Sequence, residues 1–178
     1  MEYVTLNTGA KMPLEGFGVF QIPDAAECAE VTYNAMKTGY RLIDTAAAYQ
    51  NEEAVGKAVA RAIADGLTTR EELFVTTKVW VTDQKTEDSA YQAVKTSLAK
   101  LNLSYVDLIL LHQPMGDYFA AYRGIAKAYR DWRKSGKSTA RARRRSSYAG
   151  TPSGACPLFR SPSTRSGCVR ISTSGISP

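Results

Sequence analysis

Asp44, Tyr49, Lys78 and His112, the last of them the chain's one histidine, form a set suited to moving a proton onto a carbonyl oxygen. Hydride arriving at a carbonyl carbon leaves charge on the oxygen, which then needs a proton donor. A phenol, with an ordinary pKa of about 10, can serve near neutral pH only when a nearby ammonium favours its phenolate. A carboxylate would hold that ammonium in place. An imidazole beside the phenol could donate a hydrogen bond to the substrate oxygen and orient it. Each residue also has a plainer use: Asp44 could cap a turn, Tyr49 lie on the surface, Lys78 end a strand in solvent, and His112 be a satisfied strand-end histidine. Spacing tips the balance, because Asp44, Lys78 and His112 are thirty-four residues apart each time.

The elements around these residues explain that step. Residues 16–20, 41–44, 73–78 and 106–111 are short apolar runs suited to buried strands. Amphipathic helices are predicted over 24–38, between Asn51 and Gly66, from about Thr86 and from about Asp117. Their apolar faces read as Cys28, Val31 and Ala35; then Val55, Ala58, Val59, Ala62 and Ile63; then Tyr91, Val94, Leu98 and Leu101; then Tyr118, Tyr122, Ile125, Tyr129 and Trp132. The βαβαβαβα alternation predicts a parallel sheet, α/β in class, corresponding to the first four units of an eightfold β/α barrel. One βα unit per step places the three strand-end residues on one rim, and the C-terminal rim is where such barrels carry out chemistry. Residues 3–13, with a turn at Asn7-Thr8-Gly9, read as a hairpin closing the barrel bottom.

Here the sequence resembles the aldo-keto reductases. Gly39-Tyr40-Arg41-Leu42-Ile43-Asp44-Thr45-Ala46 and Ala48-Tyr49-Gln50-Asn51-Glu52-Glu53-Ala54-Val55-Gly56 are similar to the first signature of that family. Thr77-Lys78-Val79-Trp80 and Leu111-His112-Gln113-Pro114 are similar to its lysine and histidine motifs, and the resemblance covers about residues 3–137. It implies an NADPH-dependent oxidoreductase of small carbonyl compounds, with Tyr49 as proton donor, Lys78 and Asp44 activating it, and His112 orienting the carbonyl. It also implies that Gly18, Val19 and Asp44 lie at the nicotinamide, and that Phe20, Trp80, His112 and Gln113 border the substrate. Residues 46–51 are most like bacterial and plant-type members such as 2,5-diketo-gluconate reductases.

The net charge of +6 divides unevenly. Up to Asp131 there are seventeen acids and thirteen bases, whereas residues 132–178 hold ten bases and no acid. Residues 139–178 contain nine Ser, seven Arg and four Pro but only five residues from Leu, Ile, Val and Phe, a composition that predicts disorder. The expected organisation is therefore a half-barrel over 1–137 and a separate tail over 138–178.

No Gly-x-Ser-Asn-like strand, which the family would place near residue 146, is legible there. The chain is accordingly expected to be truncated, weakly active or inactive, with a reading-frame shift near 134–139 as the origin of the tail. A competing expectation is a non-catalytic half-barrel that self-associates through open strand edges or binds polyanions through Arg141-Ala142-Arg143-Arg144-Arg145. No recognition helix accompanies that cluster, so nucleic acid is not expected as a partner. The three cysteines lack metal-ligand spacing, so neither a metal nor a disulfide framework is expected. The absence of an apolar leader or long apolar run reads as a cytoplasmic protein without a membrane partner.

Overall fold

Helix ends in this chain are set by local chemistry that can be followed residue by residue. The carboxylate of Asp24 accepts the Glu27 N–H (2.7 Å) and opens helix α1, Ala25–Lys37. Thr86 and Ser89 exchange side-chain-to-backbone bonds at 3.0 Å each and open α3, Glu87–Leu101. Asp117 accepts the Ala120 N–H (2.9 Å) and opens α4, Tyr118–Lys134. Helix α2, Glu52–Ala64, begins at Asn51, whose side chain makes no cap and is used elsewhere. Gly39 (φ 111°) and Gly66 (φ 71°) follow the ends of α1 and α2, in backbone conformations that a side chain would strain.

The computed structural model describes residues 1–135 and a two-residue strand, Cys168–Val169. Tyr3–Thr5 (β1) and Lys11–Pro13 (β2) form the expected hairpin. The main sheet then contains Phe17–Gly18 (β3), Leu42–Asp44 (β4), Phe74–Val79 (β5) and Leu108–Leu111 (β6), parallel and in sequence order. Tyr3, Lys11 and Pro13 share a cleft with Arg41, Leu73 and Phe74, which places the hairpin at the N-terminal ends of β4 and β5, the end opposite the candidate site. Cys168–Val169 (β7) pairs antiparallel with Ile109 and Leu110 of β6. No strand was expected there; an edge strand with unpaired N–H and C=O groups will accept any extended segment. The remainder of the Arg/Ser/Pro-rich tail, with Cys156 and the arginine cluster, lies outside the described residues.

One face of the parallel sheet meets the helices. Ile43, Val75, Val79, Ile109 and Leu111 pack there with Val55, Val59, Val94, Leu101 and Ile125, all of them buried. Each such side chain contributes roughly 1.5–3 kcal/mol relative to solvent exposure. Alternation sends Asp44, Thr76 and Lys78 to the opposite face.

Two expectations are corrected. The first strand pairs only over Phe17–Gly18, because among the described residues it has β4 alone as a partner and the chain turns away at Gln21 (φ 62°). The buried face of α4 is Ala120, Ala121, Gly124, Ile125 and Ala128, whereas Tyr118 is exposed. The reason is the close approach of α3: a Cβ on Gly124 would collide with the Glu87 carbonyl oxygen, so only small residues fit the contact and the tyrosines move to its margin.

Candidate active site

Three strands and one tight turn bring the four expected residues together. Asp44 is the last residue of β4, Lys78 lies one residue before the end of β5, and His112 follows β6 directly. Tyr49 arrives on a 3₁₀ turn, Ala47–Tyr49, closed by its own N–H on the Ala46 carbonyl (3.0 Å). The ladder pairs Asp44 with Thr76 and Lys78 with Leu110, an offset of thirty-two residues. The step of thirty-four therefore advances two residues from one strand to the next. Two is the side-chain period of a strand, so Asp44 and Lys78 point to the same face.

Lys78 is the hub. Its Nζ donates to Asp44 Oδ2 at 2.7 Å, to the Thr45 carbonyl at 2.9 Å and to Tyr49 Oη at 3.2 Å. Three donors meet three acceptors, and the ammonium is largely buried at 12% side-chain exposure. Asp44 Oδ1 accepts from Thr76 Oγ1 at 2.5 Å, so both carboxylate oxygens are held. The His112 ring stands edge-on to Tyr49, centroids 5.8 Å apart, and to Trp80 at 5.0 Å. Phe20, itself largely exposed, lies 5.0 Å from the Tyr49 ring.

The remaining expected residues fall into two groups. Trp80 and Phe20 touch the tetrad, and Gly18 pairs in register with Asp44, exposed, with open space where a Cβ would stand. Val19 is fully buried in the core, so only its backbone is available at the rim; its N–H donates to the Asp44 carbonyl at 3.1 Å. Gln113 is exposed, in a left-handed conformation (φ 52°) directly after His112.

Three contributors were not legible in the sequence. Thr76 and the Thr45 carbonyl complete the Asp44–Lys78 network. Asn51, 3% exposed, donates from Nδ2 to the Val19 (2.9 Å) and Ile22 (3.2 Å) carbonyls while accepting from Thr45 Oγ1 (3.0 Å), which ties the β3 end to the tetrad loop. The available signal was an asparagine at a helix start, which reads first as a cap. Among the described residues no cluster of His, Cys, Asp or Glu could hold a metal ion, and no helix is long and apolar enough to cross a membrane.

Burial pushes the His112 pKa below its usual 6.5, with the Lys78 ammonium adding to the effect and Asp44 opposing it. The unfolded chain thus binds the proton more readily, and His112 contributes stability that is present above about pH 6.5 and lost as pH falls through the lower folded value. His112→Asn is expected to flatten part of the acid-side decline. Urea unfolding midpoints of both proteins at pH 7.5 and at pH 5, roughly bracketing the free-histidine range, would check it; an unchanged difference between the two pH values would count against it.

A match to the family model described as the aldo/keto reductase family covers residues 16–140, which is most of the chain and contains all four residues of the site. The chain belongs to the aldo/keto reductase family. Among relatives, this aldo/keto reductase chain is 48% identical over 116 residues to an NADPH-dependent D-xylose reductase of Candida boidinii, covering 65% of the chain and 36% of the relative. It is 46% identical over 115 residues to an NADP-dependent D-sorbitol-6-phosphate dehydrogenase of Malus domestica, again 65% and 36%. A crystal structure of a Bombyx mori aldo-keto reductase in complex with NADP superposes with a TM-score of 0.68 at 40% identity, over 72% of this chain and 47% of that one. The chain spans less than half the length of these relatives.

Proposed function

We propose that this rim carries out the proton-donating and carbonyl-orienting part of an NADPH-dependent reduction of aldehydes or ketones to alcohols. The observation that carries the reading is one buried ammonium bonded at once to Asp44, the Thr45 carbonyl and Tyr49 Oη. Neutralising Lys78 requires only Asp44; the bond to the phenol gives the arrangement a chemical use. When bound, the cofactor would supply hydride. Tyr49 would release its proton to the substrate oxygen, and the charge left on Oη would meet Lys78 already in place. Burial and Lys78 lower the His112 pKa, which favours the neutral imidazole, so the ring can present an N–H to the same oxygen without adding charge.

The residues fit the nicotinamide end of such a cofactor: Gly18 leaves open space beside Asp44, with the Val19 backbone next to it. Phe20, Trp80 and Gln113 would border the substrate. The named activities of the yeast and apple relatives support a small carbonyl or sugar-like substrate class. The finer likeness to 2,5-diketo-gluconate reductases and a cytoplasmic location belong to the same proposal.

The test is consumption of NADPH with a simple aldehyde by the full chain and by Tyr49→Phe. Turnover that falls about a hundredfold in the variant is expected; equal rates in the two, or none in either, would overturn the reading for this chain. A second reading, a non-catalytic half-barrel that associates with another copy, is favoured by β3, whose outer edge has no partner among the described residues. It would give no turnover and an apparent mass that rises with concentration.

A further inference from the structure

Gln84 is fully buried, and its position between two strand ends is unusual for a residue of its polarity. It follows a 3₁₀ turn, Val81–Asp83, that leads from β5 towards α3. Its Nε2 donates to the Val79 carbonyl at 2.9 Å and to the His112 carbonyl at 2.8 Å. Both partners are acceptors, so only the amide nitrogen can serve them, and Oε1 is left buried without a partner among the described residues. Burying an unpaired carbonyl oxygen is costly, and a methionine of similar volume would avoid the cost. The gain that offsets it is the pair of carbonyls.

Those carbonyls sit where the parallel ladder gives out. The His112 N–H still bonds to the Val79 oxygen at 2.9 Å, but Gln113 turns the chain into the left-handed region and the His112 carbonyl has no onward strand to meet. Gln84 supplies the missing donor. The loop that follows also closes tightly on it, because a Cβ on Gly116 would lie 2.8 Å from the Gln84 carbonyl oxygen. Val79 is flanked by Lys78 and by Trp80, whose ring rests against His112. One amide therefore joins the segment carrying Lys78 and Trp80 to the backbone of His112.

We infer that Gln84 is a positioning residue, which fixes the His112 imidazole against Trp80 and Tyr49 by pinning the Val79 and His112 carbonyls. The inference builds on the reading of the tetrad as an active site, yet it can be tested without turnover. His112 is the only histidine, so its ring signal is unambiguous in NMR spectra of the full chain. The charged groups facing that ring are Lys78 and Asp44, with Tyr49 and Trp80 in edge-type contact with it.

The experiment titrates the His112 ring in the unmodified chain, in Gln84→Met, which keeps bulk and loses both donors, and in Gln84→Asn, which is one methylene short and can reach only one carbonyl. A control, Gln92→Met, changes an exposed residue of α3. In Gln84→Met the ring is expected to loosen from its seat and its midpoint to rise by roughly half a unit or more towards the free value of about 6.5. Gln84→Asn should fall between, and Gln92→Met should match the unmodified chain. If the chain turns over NADPH, kcat in Gln84→Met should fall about tenfold to a hundredfold with a smaller change in KM for the cofactor. An unmoved His112 midpoint in a folded Gln84→Met or Gln84→Asn overturns the inference. So does loss of the folded state in both variants, since a pin for one loop would leave the fold standing. Absence of turnover with a shifted His112 would defeat the enzymatic reading and leave this one intact.

Discussion

Lys78→Met is expected to lower the rate of carbonyl reduction by about 10³- to 10⁴-fold, the upper part of the range for losing acid–base assistance. The methionine keeps the length and apolar stem of the side chain and removes three hydrogen bonds together: those to Asp44 Oδ2, the Thr45 carbonyl and Tyr49 Oη. Tyr49 loses the cation that would meet its developing charge. The loop that delivers it also loses the Thr45 anchor, so both the charge compensation and the placement of the phenol suffer. Among the described residues Asp44 keeps Thr76 Oγ1 as its side-chain partner, and at 33% exposure solvent can take up much of the slack. The fold should therefore survive. Single-turnover rates with NADPH and an aldehyde, beside a circular dichroism melt, would separate the two effects; a rate within about threefold of the unmodified chain, far short of acid–base magnitudes, would show that the ammonium is not used.

Arg70→Met should produce the largest loss of stability, about 3–5 kcal/mol, because it removes a guanidinium that is bonded to a buried carboxylate. Arg70 donates from Nη2 to Asp107 Oδ2 at 2.9 Å and to the Tyr105 carbonyl at 2.9 Å, and from Nη1 to the Leu73 carbonyl at 3.1 Å. Its guanidinium carbon lies 3.8 Å over the Tyr105 ring. Asp107, with 3% side-chain exposure, also accepts the Val75 N–H at 3.0 Å, so the pair knits β5 to the segment entering β6. A contrasting pair is Arg61–Glu30, equally short at 2.8 Å but with both side chains more than half exposed. Arg61→Met should leave the urea midpoint unchanged, since water screens such pairs. Equal effects from the two substitutions would refute the distinction drawn from burial.

Neither Arg70 nor Thr76 stands out in the sequence, and the reason is common to both. Arg70 lies in a polar stretch, Thr-Thr-Arg-Glu-Glu, that reads as a solvated turn, and Thr76 is one of two adjacent threonines in a strand. Their importance comes from partners more than thirty residues away. Helix starts were legible because their determinants are local: Asp24, Thr86 and Asp117 each bond three residues ahead. On α4 the expected Ile125, Tyr122 and Tyr129 lie in or against the core, but the small residues that fill its centre were missed and Tyr118 is exposed, for the opposite reason. Periodicity selects the largest apolar residues, whereas the α3 contact at Gly124 selects the smallest.

The sequence by itself determined the alternation of strands and helices, and it put forward the shared rim and Asp44, Tyr49, Lys78 and His112 as the candidate set, because residue type, period and a constant thirty-four-residue step are properties of the chain as a string. Only the tertiary structure decided that the strands pair with an offset of thirty-two, and hence that Asp44 and Lys78 share a face. A slip of one residue would have turned Lys78 into the helix layer with every other residue of the string unchanged. The same holds for Gln84, whose two carbonyl partners become neighbours only when β5 and β6 end side by side.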